Sequence, residues 1–394
     1  MSEVLLLRAG WVLPVARPPI RDGSVAVSGG RIAWVGEAAS RECPPGRERD
    51  LGPGVLIPGP VNAHTHLELS ALAGRLSGAD GFTRWAERLV EARGALSTEE
   101  TRTATAAAVR SVEESGTAAI GDVSNALAHI DLLEDASFES VVFFEQIGWD
   151  PAQADEILAR ADERLGETEG ARASVRLAAH APHSVSAALM RGLVARGGPF
   201  ALHLAESPDE SRFLLDGDGP WREFLRQRVG EIPFTPPRAS PVAYAERLGA
   251  LGPQLVAAHC VQLDSADVGR LASARVSVVA CPRSNRTLGV GVPPVPELLA
   301  AGVNVALGTD SLASAPSLDV LEDAGALARE FPGLAVEDVV ASMTLGGARA
   351  LGLGDLGAIT PGRRAALAFA PGPSRIDDPH RFLLSGEARL RRAV

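Results

Sequence analysis

The segment Pro58-Gly59-Pro60-Val61-Asn62-Ala63-His64-Thr65-His66-Leu67-Glu68 decides how this chain is read. An apolar run, residues 54–57, leads into a Pro/Gly step and then into two histidines one residue apart. Side chains two apart in extended backbone point to the same side. His64 and His66 can therefore converge on one point from the end of a single strand. Imidazole is the commonest protein ligand for zinc and similar divalent ions, so the pair suggests part of a metal site. Taken alone, it is equally a pair of polar residues at a strand end. Two histidines do not close a site, and the other donors must come from elsewhere in the chain.

Outward from this segment the rhythm of the sequence changes. Downstream, residues 58–355 alternate apolar strand candidates (118–121, 141–145, 174–179, 200–204, 255–258, 276–280 and 303–307) with helical stretches such as 98–115, 151–165 and 265–274. Ser97 or Thr98, with Glu99 and Glu100 behind, reads as a helix N-cap with an acidic first turn. With the strand before His64 the count is eight β/α units, which fits a (β/α)8 TIM barrel better than an open doubly wound sheet. Upstream, residues 1–57 read as short strands (4–7, 23–27, 31–35, 55–57) separated by turn signals such as Ser28-Gly29-Gly30. Residues 356–394 return to that style. The expected organisation is a discontinuous β-sandwich from 1–57 and 356–394 around a catalytic barrel from 58–355. Residues 207–239, long and rich in Pro, Gly, Trp and charge, follow the fifth strand and are a candidate lid.

The histidines fall at strand ends. His183 follows 174–179, His203 lies in Ala201-Leu202-His203-Leu204-Ala205-Glu206, and His259 ends 255–258. The last strand runs on into Gly308-Thr309-Asp310-Ser311. In a barrel all these ends face one mouth, where such enzymes place their chemistry. Local alternatives remain open at each position. His203 could be a hydrogen-bonded core histidine, and Glu206 or Asp310 could cap the helix that follows. His183 could be a substrate contact or loop packing. His129 and His180 read as structural or surface residues. Cys260 points away from its neighbour His259 and reads as a packed thiol.

Composition narrows the classes. The chain has 394 residues, 46% hydrophobic and 22% charged, with a formal net charge of −11. Such a balance argues against nucleic acid or an acidic membrane as partner. No apolar run has the length to cross a bilayer, and the start, Met1-Ser2-Glu3-Val4-Leu5-Leu6-Leu7-Arg8, lacks the features of a secretory signal. Three cysteines (Cys43, Cys260, Cys281) without CxxC spacing suit reduced thiols, so the expected setting is the cytoplasm. All 38 basic residues are arginine. No Schiff-base, P-loop or carboxylated bridging lysine can exist. No Gly-x-Gly-x-x-Gly follows the first strand, which leaves a dinucleotide site without support.

Together, His64-Thr65-His66, His203 with Glu206, His259 and Gly308-Thr309-Asp310-Ser311 resemble the amidohydrolase superfamily. Within it they resemble the branch of mononuclear-metal deaminases and chlorohydrolases. Ala181-Pro182-His183-Ser184, Cys281-Pro282-Arg283-Ser284-Asn285 and Thr309–Ser314 carry the same resemblance, which spans essentially the whole chain. It implies one divalent ion, zinc first and Fe2+ second, on His64, His66, His203 and Asp310. The absent lysine agrees with a single-metal site. The segments His66–Ser70, Phe82-Thr83-Arg84-Trp85, Phe143–Gly148 and Arg238–Val242 look like the aminodeoxyfutalosine deaminases of menaquinone biosynthesis.

The implied chemistry is hydrolytic deamination of a 6-aminopurine nucleoside. In it Asp310 accepts the proton of the attacking water, His259 orients and stabilises the nucleophile, and Glu206 protonates the purine ring nitrogen. Glu68, Trp85, Glu145 and His183 are the candidate substrate contacts, although Glu68 and Glu145 could equally be helix-cap or strand-end carboxylates. The alternatives are a deaminase of adenosine, methylthioadenosine, adenosylhomocysteine or guanine, a triazine-type chlorohydrolase, and a metal-binding relative without activity. The expected partner is a small molecule, with no nucleic acid and no membrane; a homodimer is a candidate assembly.

Overall fold

Short apolar runs punctuated by glycine build the first part of the chain. Between β2 (Ile20–Ser28) and β3 (Arg31–Glu37) only Gly29 and Gly30 intervene. Both have positive φ, +57° and +71°, as a two-residue hairpin turn with the twist of its strands demands. β2 pairs antiparallel with β1 (Leu5–Val12), which also takes β4 (Arg47–Asp50) and β5 (Gly54–Pro58) alongside in parallel. The chain returns at its far end with β14 (Leu367–Pro371) against β5 and β15 (Arg391–Arg392) against β14. The result is a seven-stranded mixed sheet made from both termini. Leu7, Val25, Ile32, Leu56 and Phe369 fill its core. The computed structural model describes residues 3–78 and 80–394; Met1 and Ser2, with which the stretch read for a secretory signal begins, and Ala79 lie outside the described residues.

The central part is a barrel sheet of eight parallel strands: β6 (Val61–Thr65), β7 (Ala119–Ser124), β8 (Glu139–Gln146), β9 (Ser174–Ala179), β10 (Phe200–Leu204), β11 (Leu255–His259), β12 (Ser277–Ala280) and β13 (Asn304–Leu307). β7, β10, β11 and β12 are buried along their whole length and read as near-continuous apolar runs, whereas β9 carries the exposed Arg176. The apolar run before the histidines is β5 of the terminal sheet, and the barrel's first strand starts after it at Val61. Pro58-Gly59-Pro60 makes the break, because proline cannot donate to a ladder. His64 thus lies inside β6, and His66 just beyond its end. Among the described residues no helix is long and apolar enough to cross a membrane.

The seam between first and last strands lies at the rim. Thr65 bridges Asp310 in parallel, and His64 offers its carbonyl to the N–H groups of Thr309 (3.1 Å) and Asp310 (3.0 Å). Asn62 reads Thr309 twice: its Oδ1 accepts from the main-chain N–H at 3.1 Å and its Nδ2 donates to Oγ1 at 2.8 Å. Gly308 permits this approach, since a Cβ there would stand 2.7 Å from His64 Cβ and 2.8 Å from its carbonyl oxygen. Neither of those atoms is a flexible side-chain end. Gly308→Ala is therefore expected to destabilise the protein by about 1–3 kcal/mol through overpacking, measured by denaturant unfolding. It should also weaken metal retention on dialysis, because the seam sets His64 against Asp310.

The candidate lid is largely helical. Residues 207–239 form helices Pro208–Asp216 and Pro220–Val229, each with proline in the first turn and glycine after the last. Phe213, Trp221, Leu225 and Phe234 pack with Trp149 into an aromatic cluster. Phe82, opening helix Phe82–Gly94, meets Trp221 edge-on at 5.8 Å, and Thr83 Oγ1 donates to Asp209 at 2.8 Å. The insertions after β6 and β10 thereby join above the C-terminal strand ends.

Candidate functional site

Four strand ends bring the site together. β6 contributes His64 and, one step on, His66; β10 contributes His203; β11 ends on His259; the turn after β13 contributes Asp310. All but His66 are fully or nearly fully buried. Ligand atoms of His64, His66 and His203 lie within 4.8 Å of one another. His203 Nε2 stands 3.3 Å from His66 Nε2, and Asp310 Oδ1 stands 3.5 Å from His66 Nε2 and 3.9 Å from His64 Nε2. His259 (φ +70°), Cys260 (+49°), Ala205 (+52°) and Asp310 (+60°) take left-handed backbone, unusual for residues with a Cβ and typical of functional strand ends.

These donors fit a divalent cation. His64 Nε2 is buried without any hydrogen-bond partner, an expensive state for a polar atom unless something else fills its lone pair. Burial, then repulsion by His203, His66 and His259, pushes His64 well down and keeps that lone pair available. Burial alone would raise Asp310, but His66 and His259 outweigh it and hold the carboxyl below its usual range. Asp310 Oδ2 accepts from Ser284 (2.6 Å) and Ser314 (3.0 Å), which fixes the carboxylate and leaves Oδ1 toward the histidines. Three imidazoles and one carboxylate suit zinc or iron.

A second layer holds the first. His203 donates its Nδ1–H to the His180 carbonyl at 3.0 Å, with Glu145 Oε1 3.3 Å away on the same side. Burial disfavours the charged ring, but Glu145 outweighs it and raises His203 to about 9. Asp122 accepts from the N–H of Leu67 (2.8 Å) and faces His129 Nε2 (2.7 Å), tying the chain just past His66. His129 is therefore a buried structural residue and not a surface one. His180 is also internal, its ring 5.1 Å from that of His203 and its Nδ1 on Ser184. It groups with Glu145 and His203 in a second donor triad, a role its sequence context does not reveal.

Beside the histidines stands a buried carboxyl–imidazole pair. Glu206 Oε1 lies 3.5 Å from His259 Nε2, and His259 Nδ1–H donates to Asn285 Oδ1 at 2.9 Å. Burial pushes Glu206 well above the usual carboxylate range; Asp310 and Glu210 add to this while His203 opposes it. Burial lowers His259 to about 4. A neutral imidazole that gives its Nδ1 hydrogen to Asn285 presents Nε2 as an acceptor toward a protonated Glu206. Glu206 caps no helix, because Ser207 is the N-cap of Pro208–Asp216. Asp310 also caps none: the next helix, Val320–Glu330, is capped by Asp319.

The four candidate substrate contacts fare differently. His183 is buried, stacks on Trp221 at 4.0 Å, and has neither ring nitrogen hydrogen-bonded. Glu145 gives one oxygen to Asn125 Nδ2 (2.8 Å), while Oε1 has no hydrogen-bond partner. Glu68 has both oxygens occupied, by Arg93 (2.6 Å), Ser124 (2.9 Å) and the Asn125 N–H (3.1 Å). Trp85 stacks on Phe82 within an apolar cluster with Leu69, Val261 and Leu288, its buried Nε1 unpartnered. The structure thus sets His183 and Glu145 beside the histidine cluster, Glu68 in a closed polar network and Trp85 in an apolar wall. Ser284 and Ser314 join the site from segments that carry the family resemblance, and Asn125 and Trp221 join it with no individual signal in the sequence. Single serines, asparagines and tryptophans carry no periodicity that would mark them.

A parallel barrel with histidine and carboxylate donors at its C-terminal rim is the architecture of a metal-dependent barrel hydrolase. Residues 55–382 match the amidohydrolase family. The chain is 33% identical over 353 residues to an aminodeoxyfutalosine deaminase of Deinococcus radiodurans, covering 84% of this chain and 81% of that one. It is 30% identical over 385 residues to a 5-methylthioadenosine/S-adenosylhomocysteine deaminase of Pelotomaculum thermopropionicum, covering 92% and 84%. Among solved structures it superimposes on an adenosine deaminase from Xanthomonas campestris with bound zinc, at a TM-score of 0.80 and 27% identity, covering 98% and 89%. The chain belongs to the amidohydrolase family. It is a metal-dependent hydrolase of C–N bonds that acts on a small molecule.

Proposed function

We propose that the protein is a hydrolytic deaminase of a 6-aminopurine nucleoside, with 6-amino-6-deoxyfutalosine as its substrate and futalosine and ammonia as products. The observation that carries this reading is the pairing of the three-histidine, one-carboxylate cluster with a buried Glu206–His259 couple at the same rim. His64, His66, His203 and Asp310 would hold one ion, zinc by preference. Such an ion, when bound, provides Lewis acidity that makes water a nucleophile near neutral pH. Asp310, held by Ser284 and Ser314, takes a proton from the attacking water and passes it to the amino group, which leaves as ammonia when the C6–N bond breaks. Glu206 enters in its protonated form, delivers that proton to the ring nitrogen and renders C6 electrophilic. His259, fixed by Asn285, orients the water through Nε2. Glu206, His259 and Asp310 are buried, and a low local dielectric strengthens each of these interactions.

Substrate choice rests on the resemblance and on the 33% identical relative. A second reading, deamination of adenosine, methylthioadenosine or adenosylhomocysteine, is favoured by a relative of comparable identity for the last two and by the 27% identical adenosine deaminase structure for the first. Against an amino-acid tail stands the β8 rim, where residues 139–150 contain no arginine. Ammonia release from aminodeoxyfutalosine, adenosine, methylthioadenosine, adenosylhomocysteine and guanine, measured side by side, separates these. The first is expected to give the highest kcat/KM, by about tenfold or more, the gap that one extra satisfied polar contact of about 1.4 kcal/mol produces. Preference for another nucleoside would overturn the substrate and leave the deaminase chemistry standing.

A further inference from the structure

Glu206 lies where the chain leaves β10 and turns into a helix, and this turn is held from two sides. On one side Ala205, in left-handed backbone at φ +52°, offers its carbonyl to the N–H groups of Val261 (2.9 Å) and Gln262 (2.8 Å). On the other, the N–H of Glu206 itself donates to Glu210 Oε2 at 2.8 Å. Glu210 is the third residue of helix Pro208–Asp216 and is fully buried. Its own N–H donates to Oγ of the N-cap Ser207 at 3.2 Å. In the usual reciprocal cap the third-residue carboxylate returns to the N–H of the capping residue. Here it reaches one residue further back, past Ser207, to the residue whose carboxyl faces His259. Pro208 has no N–H of its own to compete for that oxygen.

A buried carboxyl is costly, and Glu210 Oε1 lacks any hydrogen-bond partner. Helix capping alone would not call for it, since Ser207 and the proline at the first position already start the helix. A left-handed alanine persists only where its surroundings over-determine it. The Glu210 contact is the half of that constraint contributed by the lid segment.

We propose that Glu210 is a positioning residue, whose carboxylate oxygen anchors the Glu206 main chain and so aims the Glu206 carboxyl at its place beside His259. This rests on the reading of Glu206 as the proton carrier. It also makes helix Pro208–Asp216 a working part of the site, because the same contact joins that helix to the end of β10.

The test compares Glu210→Ala, Glu210→Gln and Glu206→Gln in the zinc-loaded protein. Gln keeps an oxygen acceptor of the same reach, whereas Ala removes it; Glu210→Met, of similar volume without an oxygen, serves if the alanine protein does not fold. For Glu210→Ala, kcat is expected to fall about 30-fold with KM held within about twofold, as for a catalytic group misplaced by a fraction of an ångström. Zinc content should match the parent. By hydrogen exchange, the Glu206 amide should exchange about tenfold faster in Glu210→Ala and stay protected in Glu210→Gln, whose kcat should lie within about threefold of the parent. Parental kcat in Glu210→Ala, a loss confined to KM, or a Gln variant as impaired as the alanine one would overturn the inference. Parental turnover by Glu206→Gln would instead sink the reading of Glu206. That outcome is distinct from an inactive Glu206→Gln beside a fully active Glu210→Ala.

Discussion

Glu206→Gln is expected to lower kcat by about 10³-fold, within the range that a positioned acid–base group contributes. The amide keeps the shape and volume of the carboxyl but cannot surrender a proton to a ring nitrogen. Glu206 is not one of the donors grouped around His64, His66 and His203, so zinc per chain should stay at the parental value. Its side chain is buried, and the neutral replacement removes a carboxyl that burial already pushes toward its neutral form. Folding stability should therefore hold or rise slightly, as denaturant unfolding would register. Ammonia release and metal analysis on one preparation decide the matter. A fully active Gln variant would refute the assignment, and an inactive, metal-free one would move Glu206 into the metal site.

The second large effect concerns the ion. His64→Ala removes the imidazole whose Nε2 is buried and unpartnered, and with it the donor that the β6–β13 seam places beside Asp310. Turnover is expected to vanish, and zinc should be lost on dialysis against a mild chelator that leaves the parent loaded. An ion that binds only the folded chain stabilises it by about 2.7 kcal/mol when present at 100 times its dissociation constant. Parent protein should therefore melt at a higher temperature with added zinc, whereas His64→Ala should not respond. An equal response in both would place the ion elsewhere, with the Glu145–His180–His203 triad as the first alternative.

Much of the fold is legible in the order of the residues. The apolar runs 174–179 and 200–204 coincide with β9 and β10 to the residue, because short apolar runs between helical stretches admit little else in a parallel barrel. Ser97 is the N-cap of the helix over 98–114, and Glu100 returns to its N–H, a reciprocal contact beyond the N-cap and acidic turn expected. The start of the barrel is harder to read. Residues 54–57 are apolar and 61–65 mix apolar and polar side chains across Pro58-Gly59-Pro60, and strand pairing puts the first in the terminal sheet and the second in the barrel. β4, Arg47–Asp50, carries no apolar pattern at all, since its residues are exposed and it exists through its ladder with β1.

The chemistry available to this protein is written in the order of its residues. That order places histidines and carboxylates at strand ends and supplies no lysine, and the parallel topology turns every such end to one rim. Which of these groups meet depends on long-range packing. Thr65 and Asp310 are 245 residues apart and are joined by barrel closure, which no local pattern encodes. Long-range packing also separated Glu68, with both oxygens spent on Arg93, Ser124 and Asn125, from Glu145, whose Oε1 faces His203 at 3.3 Å and accepts no hydrogen bond. The two glutamates stand at similar strand-end positions in the sequence. Hydrogen-bond partners come from distant segments, and the number of partners a buried oxygen already has determines whether it can serve a ligand.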